Sequence, residues 1–297
     1  MGFRPDLGRQ AFEHEYATLA RHYIKWNEIE NAEDDGIDRI RAFCNEKWKG
    51  VEAANIKVIP RVYLHWSKDN QKYWPADMKA DDYSSEQFNR RVRRLVARLG
   101  ECWDNDPRVA FIQMGLIGKW GEHHSPDVSP EMQKLYEVAA DYHVPILLHW
   151  QHGMYYYGFE RFYKMLEKYP RTTFIGHAQT WWANIDKNHN DQAVLYPKGK
   201  VTPGGLTDRY LSDYPNMYGD LSAGSGLNAF TRDEDHAREF IQRHQDKLLY
   251  GSDCNDLVGQ GAKCSGAQMI AAIRRLSPSK DIERKLLYQN AKGVFRI

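Results

Sequence analysis

Val144-Pro-Ile-Leu-Leu-His149 and Thr172-Thr-Phe-Ile-Gly-His177 bracket one repeating unit of this chain. Both are short, nearly continuous apolar runs that end on a histidine, as strands buried on two faces should read. Between them Phe159, Phe162, Met165, Leu166 and Tyr169 recur at helical spacing, and Pro170 stops the stripe. The stretch therefore predicts strand, helix, strand. The same alternation extends outward in both directions. Tyr23–Trp26, Ile56–His65, Val109–Met114, Met217–Leu221 and Lys247–Asp253 read as further strands. Helical stripes separate them. Phe88, Val92, Leu95, Val96 and Leu99 form one, with Ser84 or Ser85 as its cap and Gly100 as its end. Ile37, Ile40, Phe43, Cys44 and Trp48 form another, closed by Gly50. Others run through Met132–Val138, Ala237–Ile241, Ile270–Leu276 and Ile282–Leu287. Strand–helix repetition implies parallel pairing with right-handed crossovers. Seven such strands, with an eighth near Phe3–Leu7, predict an α/β fold, a single closed (βα)8 TIM barrel over residues 1–297. A doubly wound open sheet is disfavoured, because no Gly-x-Gly-x-x-Gly follows a strand. Pro60 inside a strand predicts a bulge. Asn184–Tyr210 is polar and reads as a long loop after the sixth strand.

At 297 residues the chain is long enough to bury a large core. It has 41 Lys and Arg against 40 Asp and Glu, a net charge of +1. That balance gives no drive toward nucleic acid or an anionic membrane, so neither is expected as a partner. Cys44, Cys102, Cys254 and Cys264 form no C-x-x-C pair and read as free thiols. The start of the sequence shows no signal peptide, and no apolar run approaches a bilayer span, so a soluble, cytoplasmic protein is expected.

In a (βα)8 barrel the chemistry sits where the strands end. Those ends carry Glu28, His65, Glu122 with His123 and His124, His149, His177, Asp220 and Asp253. Imidazole and carboxylate suit a borderline divalent ion such as zinc. Three protein ligands with one open water position form the hydrolytic arrangement, because the metal lowers the pKa of its water. His149, His177 and Asp253 are the candidate metal ligands on this reasoning.

From about residue 135 to 297 the chain resembles the second half of an amidohydrolase-superfamily barrel, in the branch that contains aminocarboxymuconate-semialdehyde decarboxylase. The carrying pieces are Pro145-Ile-Leu-Leu-His149, Phe174-Ile-Gly-His177-Ala, Tyr214-Pro-Asn-Met-Tyr-Gly-Asp-Leu-Ser222, Leu249-Tyr-Gly-Ser-Asp253 and Asn290-Ala-Lys-Gly-Val-Phe295. The resemblance implies metal ligation by His149 and Asp253, and a water-placing role for His177. It departs from that family at strand 1. The family's His-x-His is missing, since no two of the twelve histidines are two positions apart. Residues 1 to about 133 resemble instead an uncharacterised glycosidase-like barrel family, through Tyr23-Ile-Lys-Trp-Asn-Glu-Ile-Glu30, Val58-Ile-Pro-Arg61 and Gly118-Lys-Trp-Gly-Glu-His-His124. There Glu122 would be the general acid of a carboxylate pair.

The two resemblances together imply a chimera: strands 1–4 (residues 1–133) from one half-barrel and strands 5–8 (134–297) from another. The expected function is an engineered or recombined hybrid barrel with a remnant metal-dependent hydrolase rim, weak or inactive. Its catalytic residues would be His177, Glu122 and Asp253, any divalent metal, zinc first, would be weakly held or absent, and any substrate would be a small molecule. Three alternatives stand beside it. One is a working metal hydrolase in which Glu122, His65 or His124 replaces the strand-1 ligands. Another is a glycoside hydrolase pairing Glu122 with Asp220 or Glu28. The last is a scaffold without chemistry.

Overall fold

Leu19–Lys25 (β1) and Lys57–Tyr63 (β2) run parallel, in register from Leu19 opposite Lys57 to Lys25 opposite Tyr63. This computed structural model describes residues 6–13, 17–66, 71–113, 115–116, 130–154, 158–253 and 264–296. The chain divides into two units, 2–124 and 125–297.

In the first unit the β1–β2 pair is extended on both sides. Asp6 bridges Arg21 in parallel, and Leu7 N–H donates to the Arg21 carbonyl (2.6 Å). On the far side Val109 bridges Val58 and Gln113 bridges Arg61, again in parallel. The segments thus lie in chain order. β1 begins four residues before its predicted start at Tyr23, and Trp26 opens the helix Trp26–Ile29 instead of closing the strand. Alternation explains the early start. Ala20 and Ile24 are buried, while Arg21 and Tyr23 take the other face and mask the strand in the sequence. β2 passes through Pro60 without a break. The predicted bulge lies in the neighbour, which has one more residue between Val109 and Gln113 than β2 has between Val58 and Arg61. Pro60 has no N–H to give on that side, and the Gln113 N–H reaches the Pro60 carbonyl instead (3.0 Å).

The helix Ile37–Lys47 and the helix Glu86–Trp103 cover this sheet. Ser85 caps the second, its Oγ accepting from Phe88 N–H (3.1 Å). That helix runs past Gly100, and its buried face is Phe88, Arg91, Leu95, Leu99 and Trp103. Val96, expected in the stripe, is 51% exposed. Arg91, which lies between the apolar positions of that stripe, is buried and paired to Asp77 (2.5 Å) and Glu30 (3.5 Å).

The second unit holds a four-stranded parallel sheet: Ile146–His149 (β3), Phe174–His177 (β4), Met217–Asp220 (β5) and Leu248–Leu249 (β6), in that spatial order. Both sheets are parallel and ordered along the chain, which is the α/β class that the alternation predicts. Leu148, Phe174, Met217 and Leu248 face the main core with Tyr136, Phe162, Trp181, Trp182, Phe230 and Phe240. Gly176 is fixed by that packing, since a Cβ there would lie 2.4 Å from the Trp181 ring. On the opposite face Ile175 and Leu249 pack against Ala291 and Val294 of the helix Asn290–Phe295. The long loop ends earlier than expected, because Leu206–Asp213 is helical. Among the described residues no helix is long and apolar enough to cross a membrane. Cys44 and Cys102 are free thiols, and Cys254 lies outside the described residues.

Candidate functional site

Strand register places the site. His149 sits opposite His177, and Leu147 opposite Ile175, which is itself opposite Tyr218. Side chains alternate along a strand. His149, His177 and Asp220 therefore share the face of Leu147, Ile175 and Tyr218 and end it at the C-terminal edge of the sheet. Ile175 is packed below them, and the polar groups lie at the rim.

The buried His177 is the centre of the cluster. Its Nδ1 lies 2.9 Å from Asp220 Oδ2 and 3.1 Å from Ser222 Oγ. Ser222 also donates Oγ–H to Asp220 Oδ2, and its backbone N–H reaches Asp220 Oδ1 (3.2 Å). A carboxylate against Nδ1 selects the Nδ1–H tautomer and turns the Nε2 lone pair outward. Nε2 points toward Asp253 Oδ2 at 3.8 Å. The His149 ring lies 5.0 Å from that of His177, centroid to centroid, and its Nε2 is 3.0 Å from Gln151 Oε1.

The surroundings hold Asp220 in place. Trp182 Nε1–H donates to the Asp220 carbonyl (2.7 Å). Gly251 lets the next strand's backbone approach, since a Cβ there would stand 2.7 Å from Asp220 Oδ1. Three non-glycine residues with left-handed backbone ring the cluster: Ala178 (φ 80°), Ala223 (φ 61°) and Asp253 (φ 37°). Such conformations cost about 1–3 kcal/mol each and persist where the surrounding structure over-determines them.

Of the sequence-predicted site residues, the structure brings together His149, His177, Asp220 and Asp253. Glu122, His123 and His124 lie outside the described residues. His65 is engaged elsewhere, with Nε2 3.0 Å from Asp81 Oδ1 and 3.2 Å from the Trp74 indole nitrogen. Glu28 is exposed and pairs with Lys25 (3.3 Å). Sequence reasoning missed Ser222 and Gln151. Each stands two residues after a strand-end acid or imidazole, and that spacing was the available signal.

One nitrogen of each imidazole is held, His149 by Gln151 and His177 by Asp220, as in histidines that ligate a metal through the other nitrogen. Among the described residues no group of three or more His, Cys, Asp or Glu side chains is placed to hold a metal ion. The expected triad of ligands is present as a cluster and not as a coordination shell. Its arrangement has the parts of a proton-transfer site, a carboxylate held against one nitrogen of a buried histidine at a strand-end rim.

No protein-family profile matches the chain, and no curated protein matches it. Solved structures to which it is similar include 2,6-dihydroxybenzoate decarboxylase complexed with 2,6-dihydroxybenzoate (11% identity, TM-score 0.40, 88% of this chain and 76% of that one). An exo-β-1,4-mannosidase from Opitutaceae bacterium strain TAV5 is another (9% identity, TM-score 0.35, 96% and 50%). A third is a broad specificity endoglucanase from an uncultured bacterium (12% identity, TM-score 0.39, 98% and 76%).

Proposed function

We propose that this chain is a hybrid (βα)8 barrel that keeps the rim of a metal-dependent hydrolase in a reduced form, with weak hydrolytic activity based on His177. The observation that carries the reading is the Asp220–His177 pair at 2.9 Å, with Nε2 turned toward Asp253. His177 takes a proton from water, Asp220 holds its tautomer and stabilises the imidazolium, and Asp253 and His149 flank the water's position. Zinc binding at His149, His177 and Asp253 is expected to be weak, because the strand-1 His-x-His pair of the resembled family is missing and no group of three ligands is placed to hold a metal among the described residues. The barrel itself is supported by the four parallel strand segments that each unit carries in chain order.

Hydrolysis of p-nitrophenyl acetate tests the chemistry. The protein is expected to exceed buffer modestly, and His177→Ala to lose that excess. General acid–base catalysis contributes roughly 10²–10⁴-fold in developed sites, and a reduced rim belongs at or below the bottom of that range. Gly251→Ala pushes on Asp220 and is expected to give an intermediate rate. Equal rates for the parent chain and His177→Ala would remove the acid–base reading. A large zinc-induced rise in Tm would overturn the weak-metal reading, since tight ligands stabilise by mass action.

A further inference from the structure

A second pocket lies at the opposite ends of the same strands. Its volume is about 160 Å³. Val144 stands just before β3, Thr173 just before β4, and Tyr218 early in β5, so the pocket opens at the N-terminal ends of the sheet. His149 and His177 close the C-terminal ends. Thr173, before β4, and His177 at its end are four residues apart, about 13 Å at ~3.3 Å per residue.

The lining is chemically one-sided. Among the described residues the pocket is lined by Arg171, Arg296, His143, Thr173 and Tyr218, with no Asp or Glu. The remaining wall is small or apolar, from Ala139, Val144, Gly293 and Val294. Arg171 shares its Nη2 with Asp141 (2.9 Å), a residue outside the lining. Arg296 follows the helix Asn290–Phe295 in a left-handed conformation (φ 53°), and His143 takes the same conformation (φ 55°) just before β3. These two turns bring residues about 150 apart in sequence to one opening.

Size decides between ligand classes. Pockets for drug-sized organic molecules run roughly 300–1,000 Å³, so this one is too small. One water needs roughly 10–15 Å³, so it is much larger than a water site. Two arginines beside two hydroxyl-bearing residues carry the chemistry that recognises an oxyanion, since arginine binds one through paired N–H donors. We infer that this pocket binds a small phosphate-type oxyanion, independently of the chemistry at the His177 rim.

Calorimetric titration with inorganic phosphate, at ionic strength held constant with sodium chloride, tests the site on the intact chain. Phosphate is expected to give saturable binding. Arg296→Gln is expected to weaken it at least tenfold. Gly293→Asp sets a carboxylate beside the two guanidinium groups and is expected to do the same. No heavy atom comes within 4 Å of a Cβ built at Gly293, so that variant keeps the fold. A melting curve on each variant verifies this. His177→Ala is expected to bind phosphate like the parent chain. No saturable binding, unchanged affinity in both pocket variants, or loss of binding in His177→Ala would each overturn the inference.

Discussion

His22 shows how one buried group ties the first unit to pH. Burial is the main cause that drives its pKa from 6.5 down to about 4, with Glu28 opposing and Lys47 adding to the fall. The neutral ring is the form the fold uses, since Nδ1 accepts from the Trp48 indole N–H (2.9 Å). The folded pKa lies below the unfolded one, so the unfolded chain takes up the proton first. The contribution of this group is complete above about pH 6.5 and is lost as pH falls toward 4. The shift corresponds to about 3 kcal/mol at most. Urea midpoints between pH 7 and pH 4.5 are expected to fall steeply in the parent chain and less steeply in His22→Gln. Equal slopes would refute the assignment. His189 and His236, both lowered mainly by burial, act in the same direction, so the variant flattens the slope without abolishing it. Asp208 acts below that window. Burial pushes its carboxyl upward, but bonds from His244 and the Gly204 N–H, with the charge of Arg243, outweigh burial and hold it at about 2.

At the scale of the element, the helix Glu86–Trp103 shows what periodicity reads and what it misses. Its start was legible, because a serine before an apolar-periodic run is a capping signal. Ser85→Ala is expected to cost about 1 kcal/mol, read as a lowered urea midpoint, while Ser84→Ala leaves the midpoint unchanged. The identity of its buried face was not legible. Arg91 points inward because Glu30 and Asp77 wait there, and Arg94 (3.2 Å) and Arg98 also reach the buried Glu30. Three arginines at positions 91, 94 and 98 repeat at helical spacing, which in principle announces a carboxylate on the facing element. A buried carboxylate without such partners would carry a large desolvation penalty. Hydropathy alone assigns Arg91 to water and Val96 to the core, and the structure reverses both.

For the whole molecule the question is whether two units make one cooperative body. Each has its own apolar cluster, one around Trp26, Trp48 and Leu95 and the other around Trp150, Phe174 and Trp181. The edge strand β3 exposes Leu147 at 52%, an apolar residue on the face that carries the histidines. A closed barrel couples its halves through sheet pairing and removes such edges. The closed barrel proposed above predicts one transition in calorimetry of the full chain, with matching calorimetric and van't Hoff enthalpies. Two resolved transitions would mean two independent domains and would remove the closed barrel.

The sequence by itself determined the α/β class, the parallel order of the strands and the residues at their ends. Those features follow from local periodicity and from the short apolar runs that close on His149, His177 and Asp220, whereas β6 ends at Leu249, four residues before Asp253. Tertiary structure alone decided what those ends do. Register put His149 opposite His177, the close approach of Gly251 and the Trp182 indole held Asp220 against His177, and Gln151 claimed a nitrogen of His149. Sequence lists donor atoms, but only three-dimensional packing fixes which lone pair each one has left. For the same reason the pocket between Thr173, Tyr218 and Arg296 has no signature along the chain, because its walls meet only when the C-terminal helix folds back under the sheet.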